Sequence, residues 1–137
     1  MDLGLSGKVV LCMASAAGLG KGIAAELARE GARVMLSGHN AERLAAAQAD
    51  IERETGNRPE TFVCDVNKAE DIQALVDHTV QILGDIYALV NMGPGPKPGP
   101  FDSFDDADWT SAFEMCLLSY IRAIRAVLPS MRRLGGG

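Results

Sequence analysis

Gly18 and Gly20 are the residues in this chain whose type and spacing could do chemistry. They close the turn Ala14-Ser15-Ala16-Ala17-Gly18-Leu19-Gly20, which follows an apolar run, Val9 to Met13, and leads into a helix-like stretch, Lys21 to Glu30. Without a Cβ, the backbone can turn sharply and a phosphate can approach it closely. A helix starting here would aim its unpaired N–H groups and dipole at that phosphate. A tight turn in any α/β protein would use the same small residues, and this segment alone supports both readings. Proton transfer is poorly provided for. His39 and His78 are the only histidines, and both fit surface positions better than a general base. Cys12, Cys64 and Cys116 lie far apart in apolar segments, as reduced core thiols do, and suggest neither disulfide nor metal site.

The elements that must position this turn are bounded by length and charge. The 137 residues suit one domain, residues 1–137, with a real core. A net charge of -5 argues against nucleic acid as the main partner. No apolar run is long enough to span a bilayer. Met1-Asp-Leu-Gly-Leu-Ser-Gly7 lacks the basic and apolar regions of a secretory signal, so a cytoplasmic location is expected.

Four apolar runs alternate with helical patterns: Lys8–Met13, Ala32–Ser37, Thr61–Val66 and Ile86–Val90. The first helix places Ile23, Leu27 and Ala28 inward and stops at Gly31. Asn40 caps a second over Ala41–Thr55, with Leu44 and Ile51 inward and Gly56 closing it. Asn67, with Glu70 three residues on, makes a capping-box-like start for a third. Its period is the clearest in the chain: Ile72, Leu75, Val76, Thr79, Val80 and Leu83, then Gly84. This alternation predicts a parallel sheet with right-handed crossovers. Gly93 to Pro100 reads as a stiff connector at the carboxyl end of the sheet, where ligands bind in such folds. Asp105, Asp106 and Asp108 then mark the start of a last helix, Ala107 to Arg133. Trp109, Phe113, Cys116, Leu117, Tyr120, Ile121, Ile124 and Leu128 form one stripe of that helix. Further apolar residues widen it, so the helix is expected to pack on both sides.

With these segments in order, the chain resembles the amino-terminal half of a short-chain dehydrogenase/reductase, of the 3-oxoacyl-acyl-carrier-protein reductase-like kind. Met13 to Gly20 is similar to the family's T-G-x-x-x-G-x-G. Asp65-Val66 matches the D-V after its third strand, where the carboxylate meets the adenine. Asn91-Met-Gly-Pro94 stands where the family has N-N-A-G. Phe113, Leu117, Leu118, Ser119, Ile121, Arg122 and Ala126 to Met131 resemble its central interface helix. The resemblance implies a Rossmann-like, doubly wound parallel sheet, here of four strands in order 3-2-1-4, with helices on both faces. It also implies a cofactor site at Ala14, Ser15, Ala17, Gly18, Leu19, Gly20, His39, Asp65, Val66 and Asn91.

The departures are informative. The motif's Thr, which in the family hydrogen-bonds across to the Asn motif, is Met13. Its first Gly is Ala14, which can follow most of the same path if φ stays negative. The second Asn is Met92, and Cys116 stands where the interface helix keeps its catalytic Asn. The family's Ser and Tyr-x-x-x-Lys are not found: Tyr87 is followed four residues on by Asn91, and Tyr120 by Ile124. In the family that Tyr gives the proton at the substrate oxygen, with its pKa lowered by the Lys. No catalytic residue is therefore assigned, and the chain alone is expected to be inactive. Ser37-Gly-His39-Asn offers no carboxylate for ribose hydroxyls, while His39 stands where NADP-type relatives often have Arg, so NADP is expected ahead of NAD.

Two classes follow: the dinucleotide-binding part of an oxidoreductase, or a non-enzymatic homo-oligomer that keeps the scaffold without the cofactor. Under either, a homodimer through the helix at 107–133 is expected, because the fourth strand forms an apolar edge and that helix is apolar over more than one face.

Overall fold

The computed structural model describes all 137 residues. Strand β1 (Val9–Cys12) is central, parallel to β2 (Arg33–Gly38) on one side and β4 (Ile86–Val90) on the other, with β3 (Glu60–Val63) outside β2. The order is β3-β2-β1-β4, as expected. Side chains alternate along β1 and feed two cores. Val9, Leu11 and Met13 pack with Ile72, Leu75 and Val76 of helix α3 (Ala69–Leu83). Val10 and Cys12 face Ala24, Ala25 and Ala28 of α1 (Gly18–Arg29), and Leu44, Ala47 and Ile51 of α2 (Ala41–Thr55). Two faces are thus covered by helices, which is why β1 and β2 are apolar without alternation.

Helix α2 forms with the expected bounds. Asn40 Oδ1 accepts from the Arg43 N–H at 2.9 Å, and Gly56 closes the helix at φ 76°. Helix α1 differs in its inner face. Ile23 points outward at 37% exposed, and the buried residues are Gly20, Ala24, Ala25 and Ala28. Small residues let this helix lie close to the sheet, and a bulky inner face would push it away from the turn. The start of α3 also differs. Its N-cap is Lys68, with no side-chain cap. Asn67 instead donates its N–H to Asp65 Oδ1 at 2.9 Å, and Asp71 Oδ2 accepts from the Asp65 N–H at 3.0 Å. The capping box expected of Asn67 and Glu70 is thus absent, and the Asp71 carboxylate instead ties the loop after β3 to the first turn of α3.

The last helix is three segments. A 3-10 turn at Phe101–Ser103 precedes α4 (Asp106–Phe113), which a capping box of Asp105 and Asp108 starts. A π-helical turn, Glu114–Leu118, then leads into α5 (Ser119–Leu134). The inner face of α5 is Ser119, Ala123, Val127 and Ser130. Of the expected stripe, Trp109, Phe113, Leu117, Ile121 and Ile124 lie outside, with Phe113 and Leu117 each 49% exposed, while Cys116, Tyr120 and Leu128 are half-buried. The π-turn inserts a residue into the hydrogen-bond ladder between α4 and α5.

Candidate functional site

The carboxyl ends of β1, β2 and β3 open onto a cleft of about 460 Å³. Ala14 and Ala17 from the turn, His39 from the end of β2, and Asp65 and Val66 after β3 all line it. Five of the ten expected site residues are therefore on its wall. Ser15, Gly18, Leu19, Gly20 and Asn91 are not, and each has a different place.

Ser15 is buried and ties two strands together. Its N–H donates to the Ser37 carbonyl at 2.8 Å and its Oγ to the Cys12 carbonyl at 2.8 Å, while Oγ accepts from the Ser37 N–H at 3.0 Å. It shapes the turn and leaves no hydroxyl for a ligand. Gly18 and Leu19 are exposed at the start of α1, whose N-cap, Ala17, brings no side-chain cap. The first turn of α1 thus leaves its N–H groups to a ligand. At Gly20 a Cβ would stand 2.5 Å from the Ala14 carbonyl oxygen, so only glycine allows the turn to fold this closely over the helix. Ala14 itself sits at φ 46°, so the condition of a negative φ is not met. The turn keeps the glycine-like path and Ala14 bears a strain of roughly 1–2 kcal/mol.

Asp65 has one carboxylate oxygen engaged by the Asn67 N–H, which fixes its position and leaves the other for a donor in the cleft. Cys64 also lines the cleft, but burial, with Asp71 and Asp65 adding to it, pushes its thiol up to about 12. It is protonated, inert wall.

Arg43 was not among the expected residues. It lies in the first turn of α2, three residues after the Asn40 cap, lines the cleft, and enters none of the ion pairs of the protein. The cap-plus-three spacing from Asn40 was the signal for it, since that step brings a residue back to the helix mouth. Asn67, Gly93 and Pro94 complete the rim, the last two from the Gly-Pro segment expected to be a connector.

Asn91 follows β4, whose last residue, Val90, accepts the Met13 N–H at 2.9 Å. Its Oδ1 is buried with no hydrogen-bond partner. A dinucleotide suits what this structure presents: a glycine-only cradle, free helix N–H groups, a positioned carboxylate, and a cationic side chain without a counter-charge. No group of three or more His, Cys, Asp or Glu residues could hold a metal, and no helix is long and apolar enough to cross a membrane.

Residues 8–137 match the family described as short chain dehydrogenase. The chain belongs to that family. Among curated short chain dehydrogenases it is 33% identical over 136 residues to 7alpha-hydroxysteroid dehydrogenase of Escherichia coli strain K12, covering 99% of this chain and 52% of that protein. It is 34% identical over 134 residues to human dehydrogenase/reductase SDR family member 4, covering 97% and 48%. Among solved structures, L-sorbose reductase from Gluconobacter frateurii, complexed with NADPH and L-sorbose, superposes with a TM-score of 0.93 at 31% identity, covering 100% of this chain and 52% of that one. A hydroxysteroid dehydrogenase from Escherichia coli gives 0.90 at 33%, covering 97% and 56%. The chain spans about half the length of the short chain dehydrogenases it matches.

Proposed function

We propose that this chain forms the adenosine-side dinucleotide site of an oxidoreductase, with NADP preferred to NAD. The observation that carries this reading is the cleft rim at the end of β2. His39 and Arg43 stand there, and residues 37–40 contain no carboxylate. An Arg without a counter-charge favours a 2′-phosphate, which its planar fork can bind through two bonds. The N–H groups at Gly18–Gly20 bind the pyrophosphate, and Asp65 accepts from the adenine edge. The NADPH held by L-sorbose reductase, a relative of the same fold, agrees with this. When bound, the nicotinamide supplies the hydride. This chain's residues bind and orient the other end of the cofactor, and none of them is placed as a proton donor. Titration with NADPH and NADH, followed by nicotinamide fluorescence, tests the reading: NADPH binds more tightly, and neither is consumed when a ketone is added. Equal affinity, or turnover by this chain alone, contradicts it.

A second copy of the chain is the proposed partner. Phe113, Leu117, Ile121 and Ile124 form an exposed row across the π-turn. Acidic Asp105, Asp106 and Asp108 lie at one end of the row, and Arg122 and Arg125 toward the other. An antiparallel two-fold pairing brings unlike ends together. Burying each large side chain is worth about 1.5–3 kcal/mol, against an association cost of about 4–15 kcal/mol, so several on each copy are needed. Light scattering at micromolar concentration shows a dimer that Leu117→Glu reduces to monomer. A monomeric parent chain contradicts the pairing.

A further inference from the structure

A second hollow, of about 330 Å³, lies between the Gly-Pro segment and α4, at the amino end of the exposed row. Its apolar walls include Phe104, Trp109 and Met115, and its polar ones Lys97, Asp108 and Ser111. The aromatic wall is held in place. Phe104 meets Trp109 edge-on at 6.2 Å between ring centroids, and Phe101 packs on Trp109 at 5.5 Å. Gly99 approaches Phe104 so closely that a Cβ there would be 2.9 Å from the ring. This size and mixture suit a one- or two-ring molecule, which an indole face and a thioether bind by stacking and dispersion.

The polar wall selects among such molecules. Lys97 enters none of the ion pairs of the protein. Asp108 uses Oδ2 to accept from the Asp105 N–H at 3.1 Å, so its other carboxylate oxygen is available to the hollow. A singly charged ligand would gain one of these groups and be repelled by the other, and a carboxylate would also have Asp105 and Asp106 nearby in sequence. A neutral hydroxyl satisfies both sides, donating to Asp108 and accepting from Lys97. We infer that this hollow is a binding site for an uncharged planar ring bearing a hydroxyl group, of the phenol class. The cofactor cleft shares only the neighbouring part of the Gly-Pro segment, Gly93 and Pro94, so this site stands independently of dinucleotide binding.

Trp109 is the only tryptophan, so its indole Nε1–H gives a single, assignable signal in a 15N–1H spectrum. The probe is 4-ethylphenol, with its methyl ether as the control that keeps the ring and loses the donor. The signal shifts saturably with 4-ethylphenol, at least fivefold more weakly with the ether, and at least fivefold more weakly in the K97M/S111A variant. Dispersion of the remaining signals reports that the variant is folded. Binding of 4-ethylphenol also persists in Gly18→Asp, whose change lies at the other site. No saturable shift up to 10 mM (on the order of the weakest affinity worth calling a site) overturns the inference. Equal affinity for phenol and ether overturns it too, by reducing the hollow to an apolar surface.

Discussion

Met13 is tied through its backbone to Val90, the residue before Asn91, and its side chain gives Asn91 no hydrogen bond. The Met13 N–H donates to the Val90 carbonyl at 2.9 Å, while the Asn91 Oδ1, one residue on, is buried without a donor. The family places a Thr where Met13 stands, and the thioether has no proton to give. An unsatisfied buried acceptor carries a desolvation cost of about 1–3 kcal/mol.

Asn91→Ala should therefore leave stability unchanged or raise it by up to about 1 kcal/mol, because no hydrogen bond to Oδ1 is lost. Urea unfolding monitored by circular dichroism checks this. A loss of more than about 1 kcal/mol would mean that the side chain is satisfied after all.

Ala14 gives a second stability prediction, of opposite origin. At φ 46° its Cβ is strained, and Ala14→Gly relieves that strain while loosening the unfolded chain. The net expected gain is about 0.5–1 kcal/mol, read from the same urea midpoint. A lower midpoint would show that Ala14 is unstrained.

Much of this was legible in the sequence because the signals were local. The Asn40 cap and Gly56 stop bound α2 correctly, and the apolar strands with their spacing led to the right sheet. What was missed came from packing. Apart from Val127, the inner faces of α1 and α5 are glycine, alanine and serine, which carry little hydrophobic signal, yet small residues let a helix approach the sheet this closely. The bulky stripe drew attention to the outer face of the last helix. The π-turn at Glu114–Leu118 is invisible to a fixed 3.6-residue period. At the site, Ala14, Ala17 and Asp65 of the expected set share one cleft, while the buried Ser15 hydroxyl, which no motif spacing reveals, joins β1 to β2. Arg43 carries no motif of its own, and only its place three residues after the Asn40 cap points it toward the cleft.

Cofactor selectivity should follow Arg43. Arg43→Ala is expected to weaken NADPH binding about 10- to 100-fold, the equivalent of one charge-assisted contact of about 1.5–3 kcal/mol, while changing NADH binding less than threefold. Titrations with both cofactors measure it. Parallel losses for the two would place Arg43 on a group they share.

Acid should weaken the fold partly through Asp85. The Arg133 side chain hydrogen-bonded to it, Nε to Oδ1 at 2.9 Å, holds its carboxyl below the ordinary range, with Ser130 Oγ adding a weaker bond at 3.3 Å. A depressed folded-state pKa contributes stability that is full above the unfolded value of about 3.9 and is lost as pH falls through the folded one. The stability difference between the parent chain and Asp85→Asn should accordingly shrink as pH drops below about 4. A difference that stays constant from pH 7 to pH 2.5 would remove Asp85–Arg133 from the acid response.

The dinucleotide site itself is tested most directly at Gly18. Gly20→Asp would clash with the Ala14 carbonyl whether or not a ligand is present, whereas a Cβ at Gly18 meets nothing within 4 Å. Gly18 sits at φ 57°, a conformation that Asp tolerates better than most residues, so Gly18→Asp places a carboxylate at the mouth of the helix with the fold retained. Calorimetric titration of both proteins with NADPH is the measurement. Saturable binding to the parent chain, lost or weakened at least tenfold in a folded Gly18→Asp, is the result expected. Equal affinity in the two proteins, or no binding to the parent at millimolar NADPH, would contradict the account.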